Sequence, residues 1–145
     1  MSMHSDPKRL RELPRSLSLR LLGSVPMGRI VFTMNALPAI RPINHVVVDG
    51  DVVMRCHGGA ALLHAIGQVV AFEADQIDPE TRTGWSVIVT GKAERVDDAD
   101  QAARYRLLLR PRVDLDMVHV VRIRPELVTG YKLIENDENG HDAVA

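Results

Sequence analysis

Short apolar runs separated by turn-forming residues are the main pattern along this chain. The runs are rich in Val, Ile and Leu, and some alternate apolar with polar residues, which is typical of β-strands. We therefore expect six or seven strands. The pattern predicts strand segments at residues 28–34, 37–48, 51–57, 68–75, 84–96, 117–125 and 127–134.

The strongest local signal is a hairpin around Asp49-Gly50. Two Val-rich runs flank this dipeptide, and a two-residue type I′ turn prefers it because both central residues need positive φ. Pro38 and Pro42 lie in the first arm and cannot donate a hydrogen bond to a neighbouring strand, so the start of that arm is expected to be an edge or bent strand. Gly91, inside a later strand segment, indicates a bulge or bend.

Three short helices are predicted, in the segments RSLSLRLLGS, GGAALLHAIG and DDADQAARYRLLLRP. The first two end at glycines, and the third has acids in its first turn, Arg110 in its last turn and Pro111 after it. Helices and strands do not alternate regularly, and no internal repeat is visible. The predicted fold class is mainly β (α+β), a small mixed or antiparallel barrel with accessory helices.

The 145 residues fit one domain, which we place at residues 10–134, between a loose N-terminus (1–9) and a disordered tail (135–145). Aromatic residues make up only 3%, so the core must be aliphatic. The formal net charge of −1 argues against nucleic acid as a partner, because duplex binding requires a basic face. A single cysteine, no secretory signal and no membrane-length apolar run predict a soluble, cytoplasmic protein.

Familiar catalytic and metal motifs are absent from the sequence, which has no GxGxxG, P-loop, HExxH or CxxC pattern. Cys56 and His57 are neighbours on a predicted strand, so their side chains point to opposite faces and cannot form a nucleophile–base pair. The spacings of His45, His57, His64 and His119 match no ligand motif, so no metal site is predicted.

One stretch does indicate an anion site. Arg55 offers a fork of donors suited to phosphate, and a protonated His57 would add another donor. The backbone N–H groups of residues 59–62 are expected to be unpaired at a helix start, which favours an anion. The alternative is that Arg55 is a solvated strand residue and that the Gly58-Gly59 pair is only a turn.

Trp85 and Ser86 stand at the head of the segment GWSVIVTGKAERV, and Trp85 is the only tryptophan. An indole suits the rim of a barrel, with its apolar body inside and an N–H that needs a partner. In regular strand geometry the two side chains point to opposite faces. They can serve one ligand only where the strand is just beginning. Otherwise one contacts the ligand and the other packs, or Trp85 simply caps the open end of the barrel.

Taken together, these segments resemble the pyridoxamine 5′-phosphate oxidase-like family of flavin-binding split barrels, in its small actinobacterial-type branch. The resemblance covers residues 16–134 and is carried by PINH (commonly PVNY in relatives), by the Asp-Gly hairpin and by GWSV followed by a G.A..V pattern. It implies a six-stranded split β-barrel that forms a homodimer. It also implies that flavin mononucleotide (FMN), or an 8-hydroxy-5-deazaflavin coenzyme, binds at the subunit interface.

The resemblance further implies which residues contact the cofactor. These positions are Asn44, His45, Arg55, His57, Gly59, Ala60, Trp85 and Ser86. Asn44 and its backbone would lie along the flavin ring, with His45 at the adjoining surface. Arg55 and the loop after it would face the phosphate. Trp85 and Ser86 would lie at the phosphate or ribityl end, and no catalytic residue is identified.

Two departures from the family pattern concern this site. Relatives often have a small hydroxyl residue after the Arg and a Ser-Lys pair in the loop, whereas this chain has Cys56 and then Gly59-Ala60-Ala61. The missing hydroxyl and ammonium groups would remove charge-assisted hydrogen bonds worth roughly 1.5–3 kcal/mol each. The second departure is His45, which replaces the common Tyr. These changes predict weak flavin binding or a shift toward another ligand.

Two classes of function follow from the resemblance. The first is an oxidoreductase in which FMN or deazaflavin carries a hydride for a small-molecule substrate, while the protein supplies binding and orientation. The second is a non-catalytic binder of flavin, deazaflavin or haem that acts as a carrier, sensor or stress protein. The altered phosphate loop favours the second class. The otherwise intact domain pattern favours the first, which is the function we predict, with no nucleic-acid or membrane partner.

Overall fold

The computed structural model describes residues 8–109 and 119–135 of the chain. Within those residues it contains seven strands, two α-helices and one 3-10 helix. None of the described helices is long and apolar enough to cross a membrane. In chain order the elements are β1 (Lys8–Leu13), α1 (Arg15–Gly23), β2 (Met27–Met34), β3 (Leu37–Val48), β4 (Asp51–Cys56), the 3-10 helix (Ala61–Ala65), β5 (Val69–Ile77), β6 (Gly84–Arg95), α2 (Ala99–Leu108) and β7 (His119–Glu135).

The strands form one antiparallel sheet that closes on itself. Its order is β1-β7-β4-β3-β2-β5-β6, and β6 also pairs with β7, so six strands complete a ring that β1 flanks. On one edge, β7 pairs with β4 over residues 119–123 and with β1 over residues 130–135. The stretch between these two pairings is the split in the barrel. The predicted six-stranded split barrel is confirmed.

Helix α1 packs beside this split. Arg15 donates from Nη2 to the Pro125 carbonyl at 3.0 Å, which ties the helix to the middle of β7. Ser18 is fully buried and lies so close to β7 that a Cβ on Gly130 would clash with its hydroxyl oxygen, so glycine is required there. Leu22 then inserts into the barrel core. The helix thereby fills an opening that the strands leave uncovered.

The hairpin between β3 and β4 forms as predicted. Asp49 has φ of 51° and Gly50 has φ of 83°, which is the left-handed pair that a type I′ turn requires. β3 pairs with β4 only over residues 45–48, while its earlier part, which holds Pro38 and Pro42, pairs with β2 alone. Pro38 and Pro42 therefore lie in the part of β3 that has β2 as its only recorded neighbour, so no N–H donor is needed toward β4. The predicted edge strand is confirmed.

A register shift between Thr90 and Gly91 confirms the predicted irregularity in β6. There Gly91 lies opposite Pro125 of β7, and a Cβ on Gly91 would clash with the Arg124 carbonyl oxygen. The sequence pattern predicts two separate strands, one ending at Pro125 and one beginning after it, and this prediction is wrong. β7 is continuous for 17 residues, because β6 pairs with it on both sides of the shift.

The ends of the chain differ from the expected domain limits. β1 begins at Lys8, so it starts inside the segment expected to be loose, and no sequence signal predicts it. At the other end Glu135 is still the last residue of β7. The rest of the predicted tail, as well as Arg110 and Pro111 at the predicted end of the third helix, lie outside the described residues.

The barrel interior is mainly aliphatic, as the composition requires, with Phe32, Phe72 and Trp85 as its aromatic members. Its largest fully buried side chains include Phe72, Leu22, Ile30, Met54 and Ile123. A second, smaller cluster lies outside the barrel wall, between that wall and α2. It consists of Val53, Val96, Ala102, Tyr105, Leu109 and Val120.

Helix α2 is fixed to the outside of the barrel by polar contacts as well. Asp98 caps its first turn by accepting a hydrogen bond from the Gln101 N–H at 2.9 Å. Further along, Arg122 on β7 donates to Glu94 at 3.3 Å and to the Tyr105 hydroxyl at 3.5 Å. The outside of the barrel near β4 and β7 is therefore a second packed region rather than open surface.

Candidate functional site

The residues that the sequence singles out divide between the two faces of the barrel wall. His45 and Trp85 are buried and point inward, whereas Asn44, Arg55 and Ser86 are half-buried and belong to the outer face. The division follows from strand geometry, in which neighbouring side chains alternate in direction. Only the outer residues can meet a ligand without opening the core.

Arg55 and Asn44 come together on this outer face. His45 lies opposite Met54, and continuing that antiparallel register by one residue places Asn44 beside Arg55. Arg55 donates from Nη1 to the Leu109 carbonyl, at the end of α2, at 3.1 Å. It is therefore not the solvated residue of the alternative interpretation. A guanidinium carries five N–H donors in all, and Arg55 takes part in a further interaction besides this hydrogen bond.

The loop after β4 is organised by His57 rather than by a helix terminus. His57 Nδ1 accepts the Gly59 N–H at 3.2 Å, and the His57 carbonyl accepts the Ala60 N–H at 3.0 Å. The prediction of four unpaired amides at residues 59–62 is therefore wrong for two of them. The element that follows is a 3-10 helix of five residues, too short to act as an anion-binding helix end.

His119 is a member of this neighbourhood that the sequence analysis does not identify as a site residue. It begins β7, lies opposite Cys56, and its Nε2 is 3.8 Å from where a Cβ on Gly58 would stand. Only the pairing of β4 with β7, more than sixty positions apart in sequence, reveals this proximity. Cys56 itself points inward, and burial raises the pKa of its thiol to about 11, so it is a neutral core residue.

His45 is buried rather than exposed on the outer face, and its contact with a ligand stays a prediction. It is 3% exposed, its Nε2 lies 2.7 Å from the Leu22 carbonyl oxygen, and its ring packs edge-on against Phe72 at 4.7 Å. Because a carbonyl can only accept, Nε2 carries the proton. Nδ1 is buried and has no hydrogen-bond partner among the described residues. Burial lowers the pKa of this imidazole, with the Leu22 carbonyl acting in the opposite direction.

Trp85 packs in the core with 8% of its surface exposed, opposite Gln76 on β5 and Lys132 on β7. Ser86 faces outward. The structure thus selects the arrangement in which the two side chains point to opposite faces. β2 and β5 separate Ser86 from Asn44, a distance of roughly 14 Å for three strand spacings. A ligand that touches both must extend across the barrel wall, and contact of Trp85 with a ligand stays a prediction.

Further along these strands the outer face carries a mainly apolar row across five strands. Cross-strand pairing aligns its members, which we call the outer row: Ile40, Val31, Ala71, Thr90 and Leu127. Ile40 is 55% exposed and Leu127 60% exposed. An ion pair between Arg29 and Glu73, at 2.7 Å, borders the row. No group of three His, Cys, Asp or Glu side chains in the described part of the chain could hold a metal ion.

A family model described as pyridoxamine 5′-phosphate oxidase matches residues 14–132. This match spans most of the chain, and the observed split barrel is the fold that the sequence resemblance implies. The chain therefore belongs to the pyridoxamine 5′-phosphate oxidase family.

Particular relatives support this assignment. A protein of Mycobacterium tuberculosis described as uncharacterized is 50% identical over 142 residues, covering 92% of this chain and 93% of the relative. The FAD-binding protein from Mycobacterium smegmatis is 38% identical, with a TM-score of 0.72, and the match covers 84% of this chain and 98% of that chain. A conserved protein of unknown function from Corynebacterium diphtheriae is 29% identical, with a TM-score of 0.73, covering 89% of this chain and 100% of that chain.

The buried, neutral His45 predicts acid-sensitive stability. The pKa of His45 is 6.5 in the unfolded chain and lower in the folded protein. Its contribution to the free energy of unfolding is therefore fully present above about pH 6.5 and is lost as the pH falls from there through the folded-state pKa. The slope for one proton is at most about 1.4 kcal/mol per pH unit. His45→Gln keeps a donor for the Leu22 carbonyl but cannot titrate. We expect the free energy of unfolding of this variant, measured in urea from pH 7.5 to 5.0, to fall less with decreasing pH than that of wild type.

The matched control is His64→Gln, which changes an exposed histidine on the 3-10 helix. It should keep the wild-type pH dependence. Equal slopes for wild type and His45→Gln would contradict the account of His45.

Proposed function

We propose that this protein binds a flavin on the outer face of its barrel, with Arg55 holding the phosphate, and acts as a flavin-dependent oxidoreductase. The observation that supports this most strongly is that Asn44 and Arg55 directly follow the last recorded β3–β4 pair, His45 and Met54, on the outer face and next to the His57 loop. FMN is the simplest such ligand. The similarity to an FAD-binding protein makes FAD the second flavin to test, and a deazaflavin coenzyme is the third.

The chemistry of these side chains suits a phosphate ester. Arg55 supplies a planar fork of charged donors. Because His57 Nδ1 accepts from Gly59, the proton of the neutral ring is on Nε2, which is a further donor for an anion. These donors compensate in part for the hydroxyl and ammonium groups that the loop lacks. The flavin site of this chain therefore depends on fewer contacts, and each has a larger effect on affinity.

An oxidoreductase with this site needs little acid–base chemistry from the protein. A bound flavin supplies hydride transfer itself, so the protein has to orient the ring and exclude water. Asn44 offers an amide donor and acceptor on the outer face for that purpose. The neutral, buried Cys56 is not a nucleophile. These features are compatible with hydride transfer and give no support to hydrolysis.

The proposed site is completed by a second copy of the chain, which packs on the outer row. The outer row is apolar at four of its five positions and leaves hydrophobic area in water, and a copy related by a two-fold axis presents the same row in return. The span between Asn44 and Ser86 gives a ligand held between two copies room to lie across the wall. The homodimer and a cytoplasmic location remain part of this proposal.

The first test is the affinity for FMN. Replacing Arg55 with Ala should weaken FMN binding by about 1.5–3 kcal/mol, roughly ten- to a hundredfold, because a charge-assisted hydrogen bond to phosphate is lost. Titration calorimetry measures it, with Arg41→Ala as the control for an exposed arginine on β3. Binding that is unchanged in Arg55→Ala would remove Arg55 from the site. If Arg55→Ala lowers the stability of the fold but the folded variant binds FMN as tightly as wild type, the role of Arg55 is limited to anchoring α2.

The second test is the oligomeric state. Ile40→Glu places a charge at one end of the outer row, within the proposed interface, and should convert the dimer to a 16 kDa monomer in light scattering. Leu107→Glu changes an even more exposed apolar residue on α2, outside the outer row, and should leave the dimer intact. A monomeric wild-type protein would contradict the shared site.

The third test separates catalysis from binding alone. Under anaerobic conditions NADPH should bleach the visible absorption of protein-bound FMN at least roughly tenfold faster than that of free FMN, because the site orients the ring. A rate equal to that of free FMN would favour the carrier or sensor function.

A further inference from the structure

A charged cluster lies on the outer face of the barrel, between the two ends of the proposed flavin site. Arg29 on β2 donates from Nη1 to Glu73 Oε1 on β5 at 2.7 Å, and the same nitrogen lies 4.0 Å from Asp75 Oδ2. We call Arg29, Glu73 and Asp75 the charged triad. The phosphate contacts proposed at Arg55 leave these three side chains without an assigned role.

Strand register places the charged triad in the path of the ligand. Asn44 pairs with the β2 residue two positions before Arg29, so the side chains of Asn44 and Arg29 are on the same face. Asp75 lies directly opposite Ser86 on β6. Between Arg55 and Ser86 the neighbouring strands follow the order β4, β3, β2, β5, β6. A ligand that extends from Arg55 to Ser86 therefore passes over β2 and β5, where the charged triad lies.

The charged triad is accessible from the outer face and carries a net negative charge at neutral pH. The exposed fractions of the side chains are 53% for Arg29, 36% for Asp75 and 23% for Glu73. One guanidinium balances only one of the two carboxylates. The residues opposite the triad on the neighbouring strands β3 and β6 are uncharged, namely Pro42, Ser86 and Ile88. One negative charge therefore faces a ligand that covers this surface.

The pKa of Glu73 agrees with this count of charges. Burial raises the pKa of the Glu73 carboxyl, and the hydrogen bond and negative charge of Asp75 raise it further. The hydrogen bond and charge of Arg29 act in the opposite direction but do not cancel these effects. Glu73 is thus harder to ionise than usual even with a guanidinium at 2.7 Å, so a further negative charge beside it would be disfavoured.

Reduction of a flavin is sensitive to charge beside its ring. At neutral pH the ring that has taken up two electrons is an anion, whereas the oxidised ring is neutral. Negative charge next to the ring therefore disfavours the reduced form and lowers the reduction potential, while positive charge has the opposite effect. Partly buried charges act strongly here because solvent and salt screen them less than fully exposed groups.

We propose that the charged triad lies against the flavin ring and lowers its reduction potential, so that the bound flavin is a stronger reductant than free FMN. The inference rests on the proposed flavin site at Arg55. Within the triad the two carboxylates lower the potential and Arg29 raises it. This balance of charge favours reduction of the substrate over its oxidation, which gives the proposed oxidoreductase a direction.

The experiment measures the reduction potential of FMN bound to the full chain, by anaerobic titration against a reference dye at neutral pH. The potential of bound FMN should lie at least about 30 mV below that of free FMN, which corresponds to roughly tenfold weaker binding of the reduced form than of the oxidised form. An equal or higher potential would overturn this inference and leave the flavin proposal standing. If FMN does not bind, both proposals are overturned.

Two variants with opposite effects test the location. Arg29→Gln removes the cation and should lower the potential of bound FMN by about 30 mV more, whereas Glu73→Gln removes a negative charge and should raise it by a similar amount. Arg104→Gln and Glu126→Gln, which change exposed charges on α2 and β7 outside the triad, should leave the potential unchanged. A purely structural triad would not give shifts of opposite sign. Unchanged potentials, or shifts in the same direction in both triad variants, would overturn the inference and limit the triad to joining β2 to β5.

Discussion

Side chains alternate in direction along a strand, and closing six strands into a ring turns that alternation into an inside and an outside. Every position in this barrel is governed by that constraint. His45 and Trp85 fall inside and join an aliphatic core, while their neighbours Asn44 and Ser86 fall outside. The interior of the described barrel is filled, in part by Leu22 from α1. The polar site residues that remain accessible, Asn44, Arg55 and Ser86, lie on the outer face.

Features that depend on a few adjacent residues could be predicted from the sequence. Asp49-Gly50 specifies its turn through positive φ, and Gly91 marks the register shift because only a glycine fits against the β7 backbone. Features that depend on distant pairing could not. β1 is polar and becomes a strand only because β7 offers an edge. Pro125 looks like a strand break, but pairing with β6 carries β7 past it.

The candidate site shows the same limit. Arg55 could be singled out because its guanidinium suits phosphate, and its place beside Asn44 follows from the hairpin register. His119 could not be found, since its neighbour Gly58 is distant in sequence. The sequence predicts unpaired backbone amides at Gly59 and Ala60. In the structure both N–H groups donate to His57, one to its ring Nδ1 and one to its carbonyl. Local side-chain competition of this kind leaves no signal in apolar periodicity.

We propose that one flavin per chain is held on the outer face between two copies of the protein. Sedimentation velocity, recorded both in the protein absorption band and in the visible flavin band after incubation with FMN or FAD, tests it most directly. We predict a single boundary at the mass of the dimer in both bands, with one flavin per chain. Flavin that sediments with a monomer, or a dimer without flavin at saturating concentrations, would contradict this account.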